Sequence, residues 1–264
     1  MEQWGLMKTD FNILIVGAVF QEIKAIIEKL IDVKKSNIGG RQVFLGKIFG
    51  QSVIIVQSGV GMINAAQAVT AVIEKMPVHL IINTGCAGAF LESGIEIGDI
   101  GIASQETDIH SGIEGSSPFD PIEQLPMPLI QTANKYYYGI YTVSHDYTQL
   151  AYEILSKEFI SQNIHVKKVP FITVSTITTS LKRTNYLFTT YQAGMENMEG
   201  AGIAHVAILY NKPFIEIRAA SNFVGVRDKK KWQLHKAFER SASAVFILLE
   251  KLIVEYSENE FYSF

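Results

Sequence analysis

Strand-like runs and helical stripes alternate along this chain with no linker between them. Residues 12–16 are short and β-branched, which suits a buried strand. Residues 22–30 then carry Ile23, Ile26, Ile27 and Leu30 on a helical stripe. Residues 43–48 and 52–56 read as strands joined across Gly50, a hairpin signal. Residues 62–76 set Ala65, Val69, Val72 and Met76 on one helix face, and Pro77 stops it. Further strands are expected at 80–83, 99–104 and 171–174, with an edge strand at 136–144. Asp146 is placed to N-cap a helix running to about residue 160. A helix at 199–210 and a strand at 214–220 follow, and the last helix packs through Phe238, Ala242, Val245, Leu249 and Leu252. The pattern predicts one α/β domain over 1–264: a central, mixed, twisted β-sheet flanked by helices, with 1–11 as a flexible extension. Ligands of such sheets bind at the carboxyl ends of strands, so chemistry is sought there.

Composition narrows the function classes. Lys and Arg total 23 against 26 Asp and Glu, so no basic surface for nucleic acid is expected. Hydrophobic residues make 48% and charged residues 19%, too apolar for a disordered chain. One cysteine excludes an internal disulfide and a thiolate zinc cluster. The first residues mix Glu2, Lys8 and Asp10 and lack the order of a signal peptide. The longest apolar run, 13–20, is too short to span a bilayer. A cytoplasmic location with no membrane partner is expected. Residues 110–127 are rich in Gly, Ser and Pro and read as a long loop, often a functional feature. Lys229, Lys230 and Lys231 read as a solvated turn.

Familiar cofactor and catalytic motifs fail. Gly59-Val60-Gly61 sits between strand and helix, but Asn64 holds the third glycine position and strand 80–83 ends without an acid. A dinucleotide fingerprint is excluded, leaving a tight glycine turn. There is no Walker lysine motif, GxSxG elbow or HExxH. His205 reads as a packed core residue, and nothing marks Cys86 as a nucleophile. No cofactor and no metal are expected.

Four pieces stand where strands end: Gly17-Ala18 leading to Glu22; Asn83-Thr84-Gly85-Cys86-Ala87-Gly88; Met195-Glu196-Asn197-Met198-Glu199-Gly200; and Arg218-Ala219-Ala220-Ser221-Asn222. Each also has a plain reading. Glu22 and Glu199 could be first-turn acids complementing helix dipoles, and Asn222 could cap a turn. Together, in order, with SGVGMINAA, INTGCAGAF, IGDI and NMEGAGIAHV between them, they resemble the nucleoside phosphorylase and nucleosidase superfamily over about residues 13–252. No arginine stands beside Gly17-Ala18 or just before Gly85, where phosphorylases hold phosphate, so the likeness leans to the hydrolytic branch. ENMEGAG and FIEIRAASNFVGVRDKKKW narrow it to the futalosine hydrolases, which release hypoxanthine within menaquinone biosynthesis.

The resemblance implies a role for each residue. Glu22 is the general base that activates water. Glu199 accepts the two ribose hydroxyls, with Met198 against the sugar and Asn197 beside it. Asn222 faces the leaving purine, where adenine-specific nucleosidases carry an aspartate. Its amide NH2 has two donors for N7 and O6 of a 6-oxopurine, although an amide also serves adenine. Arg218 holds the water, orients Glu22, or is a structural ion pair. Gly85, Cys86, Ala87 and Ser221 complete the pocket, and Thr178 lies in the base-pocket segment VSTITTS. Arg227 is a candidate partner for the substrate carboxylate, with Phe119 and the 111–127 loop at the mouth. The partner is thus a small purine nucleoside, and the assembly a homodimer or larger. Methylthioadenosine/S-adenosylhomocysteine nucleosidase, a 6-oxopurine nucleoside phosphorylase and a non-catalytic nucleoside binder remain as alternatives.

Overall fold

The computed structural model describes residues 11–117 and 120–260, with side chains through 252. The N-terminal extension expected over 1–11 lies, Phe11 apart, outside the described residues. The chain opens with β1 (Asn12–Gly17), α1 (Phe20–Ile27), β2 (Ile31–Ile38), β3 (Arg41–Ile48) and β4 (Gln51–Gln57). Next come α2 (Met62–Ile73), β5 (Leu80–Ala89) and β6 (Ile100–Asp108). Short strands β7 (Ile130–Gln131), β8 (Tyr136–Tyr137) and β9 (Ile140–Thr142) lead into α3 (His145–Phe159). Then follow β10 (Val166–Thr173), α4 (Leu181–Tyr191), β11 (Met195–Asn197), α5 (Gly200–Leu209), β12 (Phe214–Phe223) and α6 (Leu234–Glu260).

The main sheet has the order β11-β10-β6-β12-β5-β1-β4-β3-β2, with β9 added on β6. It is mixed, as expected: β1 runs parallel to β4 and β5, while β12 and β6 are antiparallel. β11 also pairs antiparallel with β5. The strands β5, β12, β6, β10 and β11 therefore close into a ring.

β1 shows why the sheet is sandwiched. Its side chains alternate faces, and both faces are apolar. Ile13 and Ile15 enter one core with Ile23 of α1, Leu155 of α3 and Leu249 of α6. Leu14 and Val16 enter the other with Val69 of α2 and Ile203 of α5. No helix among the described residues is long and apolar enough to cross a membrane.

Several expectations need correction. The N-cap of α3 is Ser144, not Asp146: the Thr148 amide donates to the Ser144 carbonyl at 2.9 Å. Asp146 sits inside the first turn, where its charge still suits the helix dipole. The run at 80–83 continues as β5 through the glycine motif to Ala89. The strand expected at 136–144 is broken into β8 and β9 at Gly139, whose φ is 100°. The loop at 110–127 has an isolated bridge between Ile113 and Glu123; Phe119 lies outside the described residues.

Candidate active site

Strand pairing brings the four pieces together. β5 lies between β1 and β12, pairing Val16 with Asn83 and Arg218 with Gly85. β11 places Asn197 beside Thr173 of β10, and the chain then turns into α5. A cavity of about 250 Å³ opens where these ends meet, lined by residues of all four pieces.

Glu22 is buried in the wall of this cavity. Its Oε2 accepts from the backbone amides of Ala18 at 2.8 Å and Val19 at 3.2 Å. That bond to the first turn caps the start of α1, so the plain reading of a first-turn acid also holds. Its Oε1 accepts from the Cys86 amide at 2.9 Å. Burial raises its pKa above the ordinary carboxylate value, while Arg218 and the Cys86 amide pull it back. The Cys86 thiol, desolvated and facing that carboxylate, is pushed up to about 12. Both effects disfavour the thiolate that a nucleophile would need. Gly85 has φ 146°, and any Cβ there would run into the Glu22 carboxylate. Only glycine lets the β5 backbone pass this close.

Arg218 is 1% exposed and divides its guanidinium among three partners. Nε donates to Glu216 Oε1 at 2.8 Å, Nη1 to the Cys86 carbonyl at 3.1 Å, and Nη2 to Glu199 Oε2 at 3.2 Å. Burial works against the charge, but Glu216, Glu199 and Glu22 outweigh it and raise its pKa. Glu199 also accepts from the Gly61 amide at 3.0 Å. It stands at the N-cap of α5 but does not cap it. Asn197 Oδ1 takes the Glu199 and Gly200 amides at 2.9 and 2.7 Å, and Thr173 Oγ1 takes that of Ala201 at 2.8 Å. The Glu199 carboxylate is thereby released from its helix and faces the cavity.

Asn197 lines the cavity, but both ends of its amide are engaged, since Nδ2 donates to Glu106. At the other end of the cavity, Asn222 Oδ1 accepts from the Ser221 hydroxyl at 2.7 Å. Nδ2 lies beside Gly88 and spends one hydrogen on the Phe223 carbonyl at 3.2 Å. Met198, Cys86, Ala87 and Ser221 also line the cavity. Thr178 is buried behind the wall and donates its amide to Glu196 Oε1 at 3.0 Å. Arg227 is exposed and is not brought to the cavity wall.

Some site residues escaped sequence reasoning. Glu196 lines the cavity, and its Oε2 is buried without a hydrogen-bond partner among the described residues. Burial raises its pKa, against the nearby Thr178 hydroxyl and amide and Arg183. Glu106 and Glu216 lie behind Arg218, each fully buried. For Glu216 alone the sequence carries a signal, a lone glutamate inside the apolar run FIEIRAA, which must find a partner when buried. Phe238 is more than packing: with Trp232 and Leu234 it forms the apolar mouth. Among the described residues, no group of three or more His, Cys, Asp or Glu side chains could hold a metal ion.

A family model described as the phosphorylase superfamily matches residues 12–254. A 5′-methylthioadenosine/S-adenosylhomocysteine nucleosidase of Haemophilus influenzae is 30% identical over 79% of this chain and 84% of its own. The enzyme of that description from Colwellia psychrerythraea, solved in complex with adenine, superposes with a TM-score of 0.78 at 26% identity, covering 92% of this chain and 96% of its own. A futalosine hydrolase of Helicobacter pylori shares the fold with a TM-score of 0.77 at 22% identity, covering 92% of this chain and 98% of its own.

Proposed function

The chain belongs to the phosphorylase superfamily, and from that membership we propose that its cavity hydrolyses the N-ribosidic bond of a purine nucleoside. The observation that carries this is the division of labour between two buried carboxylates. Glu22 is gripped by three backbone amides and has a raised pKa, which suits a base. Glu199 is ion-paired and keeps lone pairs for two ribose hydroxyls. Cleavage builds positive charge on the sugar and negative charge on the purine. Water on the sugar face opposite the base adds to C1′, loses its proton to Glu22, and the C1′–N9 bond breaks toward the purine. Arg218 is the one cationic side chain among the described lining residues, and all three of its nitrogens already donate to protein. That leaves a single, largely engaged cation for a phosphate, which favours water as the nucleophile.

The finer reading is futalosine, cleaved to hypoxanthine and dehypoxanthinylfutalosine in menaquinone biosynthesis. Asn222 Nδ2, with one hydrogen on the Phe223 carbonyl, offers the other to the N7/O6 edge of hypoxanthine, and Glu196 Oε2 offers an acceptor to its N1–H. The apolar mouth of Trp232, Leu234 and Phe238 suits the aromatic ketone on the 5′ side. A second reading, methylthioadenosine/S-adenosylhomocysteine hydrolysis, is favoured by the names of the relatives and fits the same mouth.

One assay separates them: futalosine, methylthioadenosine and inosine, each with and without phosphate, with the released base identified. Hypoxanthine from futalosine without phosphate is expected. Adenine release alone would replace futalosine by methylthioadenosine, and strict phosphate dependence would replace hydrolysis by phosphorolysis. In Glu196→Gln the new carbonyl stays on the Thr178 amide and the NH2 meets the purine. This variant is expected to lose about 10–100-fold in kcat/KM for futalosine, with methylthioadenosine spared. Gly85→Ala should cost about 100-fold in kcat, because the methyl displaces the Glu22 carboxylate. A Gly85→Ala enzyme of undiminished kcat would contradict this placement of the base.

A further inference from the structure

We propose that Glu106 and Glu216 share a single proton, and that Glu216 is a positioning residue that acts on the cavity carboxylates through Arg218. Glu106 lies on β6 and Glu216 on β12, with no exposure to solvent. Both carboxyls converge over Gly200: a Cβ there would strike Oε1 of Glu106 and Oε2 of Glu216 together. The donors around them are accounted for. Glu106 Oε2 takes the Thr173 hydroxyl at 2.8 Å, and Oε1 takes the Asn197 amide. Glu216 Oε1 takes both the Asn83 amide and Arg218 Nε at 2.8 Å. Glu216 Oε2 finds no donor among the described residues other than a protonated Glu106. Two bare carboxylates in contact, both buried away from solvent, would repel; one proton between them turns that contact into a hydrogen bond.

The negative charge that remains settles on Glu216, because Arg218 is bonded there and not to Glu106. Burial and then the neighbouring Glu216 hold Glu106 well above the ordinary carboxylate range. The charge on Glu216 has two effects. It fixes one edge of the guanidinium whose other edges hold Glu199 and the Cys86 carbonyl. It also takes up part of the Arg218 field that would otherwise reach Glu22. The titratable and charged groups facing Glu22 are Arg218, Glu199 and Cys86; those facing Glu216 are Glu106, Arg218 and Glu199.

Two isosteric variants place the surviving charge differently. In Glu106→Gln the NH2 donates to Glu216 at the expense of the Asn197 contact, and the charge stays beside Arg218. In Glu216→Gln the carbonyl still holds Arg218 and Asn83, while the charge moves to Glu106, away from the guanidinium. The acid limb of kcat/KM is expected to stay in place in Glu106→Gln and to fall by about 0.5–1 pH unit in Glu216→Gln. A purely structural glutamate would not move that limb, and coincident limbs in wild type and Glu216→Gln overturn the positioning role. This kinetic arm rests on the nucleoside-hydrolysis reading; a second arm does not. Since the folded chain binds the shared proton more tightly than the unfolded chain, its stabilisation is full at low pH and is lost as pH rises through the raised pKa. Thermal melts should therefore show wild type losing Tm toward alkaline pH more steeply than Glu106→Gln. Parallel pH slopes in wild type and Glu106→Gln overturn the shared proton.

Discussion

Glu22→Gln is expected to keep nucleoside binding and to lose turnover by roughly 10²–10⁴-fold. An amide has no proton affinity to draw on when water attacks. Its carbonyl can still accept from Ala18 and Val19, while its NH2 is set against the Cys86 amide. The local cost is therefore confined to one donor, and the ribose acceptor Glu199 is untouched. Calorimetry with a substrate that no longer turns over gives the binding half, and base release gives the other. Equal turnover in wild type and variant would remove Glu22 from the mechanism. The same carboxyl sets the acid side of the pH profile. Because burial holds its pKa above the ordinary value, the base becomes ionised only above that range, and kcat/KM should decline through this raised limb as pH falls.

Arg218→Met is expected to cost about 3–5 kcal/mol of stability, the range for breaking a buried ion pair. The size follows from what it leaves behind. Glu216 and Glu199 lose a bonded cation, and Glu22 loses the positive charge that offsets its burial. Methionine fills the volume, so the loss is electrostatic rather than a void. A fall in Tm on the order of 10 °C, with turnover abolished, is the expected result. Arg218→Lys should rescue little, since one ammonium cannot span Glu216, Glu199 and the Cys86 carbonyl at once. A variant melting within about 2 °C of wild type would show that the cluster carries no net charge strain.

Much of this architecture could be read in advance where burial leaves a period. β1, β5, β12 and the stripe of α6 were legible because both faces, or one whole face, are apolar. β2 was not, because it is an edge strand with its side chains almost all exposed. Such a strand leaves no alternation to find. α4 buries only Thr184 and Leu187, too little for a stripe. The strand expected at 80–83 stops at the glycine motif, which carries no apolar alternation; pairing with β12 extends it as strand. The carboxylates at strand ends were visible as motifs. The pairing of Glu106 with Glu216 was not, because their meaning lies in each other, across 110 residues of chain.

The closed ring of β5, β12, β6, β10 and β11 has one further consequence. An open sheet can flex about its edge strands, but a ring has no free end from which to fray. Glu216, Arg218, Asn222, Glu106 and Asn197 are all carried on that ring. Glu22 and Glu199 stand on this frame from the starts of α1 and α5, whereas at the mouth Val60, Ile177, Trp232 and Leu234 come from loops and a helix start. Changes at the mouth can therefore leave the ring strands in place. Relatives with different substrates can share such a frame, diverging at its rim rather than at its centre.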